Sequence, residues 1–164
     1  MTLPRSPARR VDPDPRLVAD FQADYSDAFR IDGPPGQPAR EWARLSLRGA
    51  EANGRLFARL TWQGILGFRL APRDAAGAVA GWPIVADDPR QLVLQVDGWL
   101  MAGQLIFQVA DPALTWTTML RYHRPPARLV WAVAGRAHRS LVPRCLGGAA
   151  RHQVERSTGM AKLD

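Results

Sequence analysis

The spacing of apolar residues changes period along the chain. Residues 38–68 repeat them at helical spacing, 82–122 alternate them, and 127–146 return to helical spacing. Alternation sends successive side chains to opposite faces, so 82–86, 91–96, 99–109 and 114–122 are predicted strands. Asp87-Asp88-Pro89, Asp97-Gly98 and Asp111-Pro112 separate them with turn-forming combinations, which makes an antiparallel meander. Leu92, Leu94, Val96, Leu105, Phe107 and Val109 then point inward, and Gln91, Gln95, Gln104 and Gln108 outward. In the last strand Leu114, Trp116, Leu120 and Tyr122 share one face; Thr115, Thr117, Met119, Arg121 and His123 share the other. Gly103, inside the longest strand, reads as a bulge.

Upstream, Tyr25, Phe29 and Ile31 fall on one side of a first strand over 24–31, which Gly33, Pro34, Pro35 and Gly36 close. Pro38 suits a first helical position, so a helix runs from it to about Arg48, ended by Gly49 and anchored by Trp42. Asn53 caps a second helix with a stripe of Phe57, Leu60, Ile65 and Phe68, and 69–81 form a loop. A final helix over 127–146 repeats Val130, Val133, Ala134, Ala137 and Leu141, with Pro143 expected to kink or end it. The fold class is α+β: an antiparallel sheet wrapped on a long C-terminal helix, with two shorter helices after the first strand. Residues 1–20, proline-rich and without period, are expected as a disordered arm, 21–150 as a single domain and 151–164 as a flexible tail.

At 164 residues the chain suits one core, and 46% hydrophobic with 23% charged residues is a globular balance. No run approaches the roughly 20 apolar residues of a membrane span, and the N-terminus lacks the apolar core of a secretory signal. One cysteine, Cys145, permits no internal disulfide, so a cytoplasmic location is expected. The net charge is +7, and it is localised: seven arginines and no acidic residue lie between Asp111 and Glu155. On an unbroken helix Arg128, Arg136 and Arg139 fall at about 0°, 80° and 20° around the axis. That sector predicts weak, salt-sensitive anionic contacts, but not sequence-specific nucleic-acid recognition, which needs groups placed to read base edges.

Signatures of nucleotide binding and of nucleophile elbows are missing, so no cofactor is expected. His138, Cys145 and His152 recur every seven residues. That is about 10.5 Å of helical rise, against metal–ligand distances of about 2.0–2.3 Å, so no metal is expected and the histidines belong at the surface or rim. Asp24 and Asp27 are three apart and face opposite ways on a strand, which suits local hydrogen bonds and ion pairs. Arg121 and His123 lie on one strand face, where they could hold an anion together.

Asp24 to Phe29 (Asp-Tyr-Ser-Asp-Ala-Phe), Trp42, Thr117 to His123 and His138 to Pro143 resemble motifs of the bacterial family called domain of unknown function 2867. That family is similar to helix-grip proteins of the START, Bet v 1 and polyketide-cyclase kind. The resemblance implies a curved sheet around a long C-terminal helix with an apolar cavity between them; it carries over no catalytic residues.

These readings converge on a domain that binds a small apolar or amphipathic molecule rather than on an enzyme. Trp42, Phe107, Trp116, Leu120, Arg121 and His123 are its expected ligand contacts. The alternatives are a cyclase- or hydratase-like enzyme using Arg121 and His123, and a basic interaction module for an acidic partner.

Overall fold

The expected alternation is realised in a seven-stranded antiparallel sheet of order β1-β2-β7-β6-β5-β4-β3. In the computed structural model the strands are β1 Arg9–Val11, β2 Tyr25–Asp32, β3 Ala78–Val79, β4 Trp82–Asp88, β5 Gln91–Val96, β6 Met101–Ala110 and β7 Ala113–Tyr122. The helices are α1 Pro15–Phe21, α2 Ala39–Ala52 and α3 Pro126–Met160, with a π-helical turn at Leu60–Ile65. The structure describes residues 7–33, 36–52 and 60–160. Of the helix expected after Asn53, residues 53–59 lie outside the described residues, and the later part is the π-helical turn rather than an α-helix.

One face of the sheet carries the main core. Leu92, Leu94, Val96, Leu105, Phe107, Leu114, Trp116 and Leu120 are all buried there with Trp42 and Leu47 of α2 and Trp131 and Leu146 of α3. The inward assignments hold, apart from Val109, which is partly buried and packs against this cluster. On the outer face the glutamines pair across the β5–β6 ladder, with Gln104 Nε2 donating to Gln95 Oε1 at 2.9 Å. Burying the apolar face of each strand against two helices is what holds these layers together.

Several sequence expectations are corrected. Residues 9–20, expected as part of a disordered arm, contain β1 paired on β2 and all of the helix α1 except Phe21. Asp14 caps that helix by accepting from Arg16 N at 2.9 Å, and Pro15 occupies a first-turn position that needs no N–H. Phe21 of α1 joins Val93, Ala102, Ile106 and Met119 in a second apolar cluster on the outer face, with Leu17 and Val18 packed against it. Gly103 is no bulge: the β6–β7 register runs unbroken from Met101↔Tyr122 to Ala110↔Ala113. A Cβ there would meet Phe68 Cζ at 2.9 Å and Trp82 Cη2 at 3.3 Å, so the glycine makes room for two rings. The register shift instead falls between Ile84 and Ala86.

Neither Gly49 nor Pro143 ends its helix. Gly49 lies inside α2, where a Cβ would sit 3.6 Å from Cys145 Cα, so a small residue permits close approach of α2 and α3. Pro143 lies inside α3, which continues to Met160 through most of the expected tail, with Leu146, Ala149 and Gln153 buried. Packing against α2 outweighs the local helix-breaking preference. The buried face of α3 is also rotated from the expected one: it carries Ala127, Trp131, Val142 and Cys145, and Val133 is exposed. Small aliphatic residues mark a face weakly, and the far larger area of Trp131 decides it.

Candidate functional site

A polar cluster interrupts the apolar interior where β2, β7 and α3 meet. Tyr25, Asp27, Phe29 and Ile31 alternate onto the inner face of β2, so Asp27 is carried into the core by the register that buries Phe29 and Ile31. The Asp27 side chain has no exposed surface. Tyr25 Oη donates to Asp27 Oδ2 at 2.5 Å, and His138 Nε2 from α3 lies 3.3 Å from the same oxygen. Arg139 Nη1 donates to Tyr25 Oη at 3.3 Å. Trp131, two turns before His138, sets its ring edge-on to Tyr25 at 5.1 Å and tilted against His138 at 5.2 Å. Burial and then the hydrogen bond to Asp27 push the Tyr25 phenol up to about 12.

The chemistry of this arrangement is that of an oriented imidazole. A buried carboxylate fixes His138 through Nε2 and leaves Nδ1 as the nitrogen open to another partner. Thr118 Oγ1 and Trp116 Nε1 of β7 and Trp131 Nε1, in the ring beside His138, are buried without a hydrogen-bond partner, as are Ser46 Oγ, Trp82 Nε1 and the Gln153 amide elsewhere in the interior. Thr118 is the cross-strand neighbour of Asp27, and Trp116 lies two residues away on the same face. Each unpaired buried group costs about 1–3 kcal/mol.

Trp42, Phe107, Trp116 and Leu120 come together in the main core, each almost fully buried, with the Phe107 and Trp116 rings 4.9 Å apart. Trp42 lies over Gly33, where a Cβ would sit 2.5 Å from its ring. Arg121 and His123 are held by different partners. Arg121, on the outer face of β7, donates to Phe21 O at 3.3 Å and covers the Phe21 ring. His123 Nε2 lies 2.7 Å from Asp97 Oδ1, and this bond holds the Asp97 carboxyl below its ordinary range.

Sequence reasoning missed the convergence of Tyr25, Asp27, His138 and Arg139. Asp27 and His138 are 111 residues apart in the chain, and only the placement of α3 over β2 brings them together. The available signal was the parity of Asp27 with Phe29 and Ile31, which marks a carboxylate on a buried face. His138 is not a surface residue but retains 17% side-chain exposure beside Asp27, whereas His152 is exposed and Cys145 buried. Burial raises the Cys145 thiol to about 11. Among the described residues, no three His, Cys, Asp or Glu side chains gather as a metal site. Asp24 turns elsewhere and accepts from Tyr122 N at 2.7 Å.

No family model matches this chain and no curated protein does, so the resemblance to the bacterial domain-of-unknown-function family finds no support. Among solved structures, the crystal structure of Ara h 8.0201 is similar at 12% identity and a TM-score of 0.36, covering 78% of this chain and 98% of that one. The fold class rests on the strands and helices of the chain itself: an antiparallel sheet closed by a long C-terminal helix and shorter ones, as expected from the sequence.

Proposed function

We propose that this protein binds a small apolar or amphipathic molecule between the inner face of the sheet and α3. Trp116, Phe107, Leu120 and Trp42 supply the apolar wall, and the polar end of the molecule is held by Tyr25, His138 and Arg139. The observation that carries this reading is the buried Asp27 carboxylate facing His138 in an apolar interior, with hydrogen-bonding groups of the adjoining strand and helix, Trp116 Nε1, Thr118 Oγ1 and Trp131 Nε1, left without partners. A domain with only packing to serve would gain stability from apolar replacements there. Polar groups retained at a cost in an apolar interior are what a site for a mainly apolar ligand with one polar end requires. Arg121 and His123, engaged with Phe21 and Asp97, have no part in it.

The test pairs native mass spectrometry of the purified protein with titration by anilinonaphthalenesulfonate, an amphipathic anion that fluoresces in apolar surroundings. A single saturable site is expected, weakened by Trp116→Phe, Thr118→Val and His138→Ala. Thr118→Val should at the same time stabilise the unliganded protein by about 1 kcal/mol, since it removes an unpaired hydroxyl. Dye binding indifferent to all three substitutions, with no molecule retained on purification, would sink the reading.

A further inference from the structure

The solvent side of α3 carries a second surface that the interior site does not use. Leu129 and Val133, one turn apart, are 73% and 71% exposed, the highest values among the large apolar side chains of the described residues. Taking Arg128 as zero, Ala132, Arg136, Leu129 and Val133 lie at about 40°, 80°, 100° and 140° around the helix. All five are exposed, so apolar and cationic side chains alternate within one sector. Arg139, expected in the same sector, instead reaches Tyr25 and is withdrawn from it. At the helix start the surface continues onto Trp99, which is 54% exposed with the Arg124 guanidinium 5.7 Å from its ring centre. From Arg128 to Arg136 the helical rise spans about 12 Å.

No acidic residue of α3 precedes Glu155. Two carboxylates lie near the helix start, Asp24 beside Tyr122 N and Asp97 beside His123. From Arg128 to Arg136 the only charged side chains of the helix are arginines, so this part of the face suits an anionic partner. Three features select the kind of partner. Leu129, Val133 and Arg136 stand exposed on the outer side of a helix, a face that a flat boundary can reach. Its apolar side chains are interleaved with arginines, whose long stems let the charge reach phosphates while apolar tips enter the acyl region. Its end carries an exposed tryptophan, a side chain suited to the interface between water and lipid.

We infer that this face docks the protein peripherally on an anionic lipid surface. No helix among the described residues is long and apolar enough to cross a membrane, so the contact is a surface one. Leu129, Val133 and Trp99 with three arginines give weak attachment that falls away as salt screens it. This inference is independent of what occupies the interior.

Co-sedimentation of the full chain with vesicles tests it, comparing pure phosphatidylcholine with a phosphatidylcholine–phosphatidylglycerol mixture. At low salt the protein sediments with the mixed vesicles and not with the neutral ones, and binding is lost near physiological salt. Arg128→Gln with Arg136→Gln lowers the partition about tenfold or more. Leu129→Ser with Val133→Ser lowers it severalfold at unchanged charge and leaves heparin binding as it was. All four positions are exposed, and an unchanged thermal midpoint shows that the variants are folded. Failure to bind mixed vesicles at low salt overturns the inference. So does binding that the Leu129 and Val133 substitutions leave intact, which marks a purely electrostatic patch. Tight association with an acidic protein or a DNA sequence at physiological salt overturns it as well.

Discussion

Removing Asp27 probes the polar cluster directly, because Tyr25 and His138 converge on a carboxylate whose side chain has no exposed surface. Asp27→Ala leaves a half-buried phenol and an imidazole without their shared partner, at an expected cost of about 1–3 kcal/mol in urea denaturation. A change within about 0.5 kcal/mol, the range of ordinary surface substitutions, would mean the cluster is slack. Tyr25 provides a second measure. Its folded-state pKa of about 12 lies above the ordinary value, so the fold favours the protonated phenol. That contribution is whole below a pH of about 10 and is lost as the pH climbs towards the folded value. In a tyrosinate absorbance titration, Tyr25→Phe should remove the step near 12 and leave that of Tyr122, which burial also raises.

At the scale of elements, β6 tests how much space its glycine provides. Gly103→Ala places a methyl against the Phe68 and Trp82 rings. Overpacking of this kind costs about 1–3 kcal/mol, which a thermal or denaturant melt would register as a lower midpoint with an unchanged cooperative slope. The same position shows what sequence conveys. The alternation of Leu92, Leu94, Leu105 and Phe107 gave the meander and its buried side, since a period of two admits only one arrangement of faces. The role of Gly103 was hidden because the rings that need it come from distant segments. α1 was hidden for a different reason: its prolines suggested an irregular segment, although Asp14 and Pro15 also form a standard helix start. α3 was expected to kink or end at Pro143, whose local preference yields to packing on α2. Of the expected wall, Trp42, Phe107, Trp116 and Leu120 were legible as core residues, while the polar cluster required knowledge of which helix crosses which strand.

Over the whole molecule, the N-terminal segment acts as a cover for the outer face of the sheet. Removing residues 1–22 deletes β1 and α1, uncovers Val93, Ala102, Ile106 and Met119, and takes away the carbonyl that Arg121 donates to. Loss of the Phe21 side chain alone forfeits about 1.5–3 kcal/mol of burial. The truncated protein should melt earlier and self-associate, measurable by calorimetry and light scattering; identical melting and a monomeric profile would mean that this cover contributes little. The position of β2 between β1 and β7 also has a kinetic consequence. Tyr25↔Leu120 joins residues far apart in sequence, whereas β5, β6 and β7 are joined by short turns. Local pairings close early and distant ones late. Pulse-labelling hydrogen exchange during refolding should therefore protect β6 amides before those of β2, and simultaneous protection would contradict this order. Because Asp27 rides on β2 and His138 on α3, a refolding chain gains its meander before its polar cluster, and under the proposed function recovery of dye binding would report the last step of folding rather than the first.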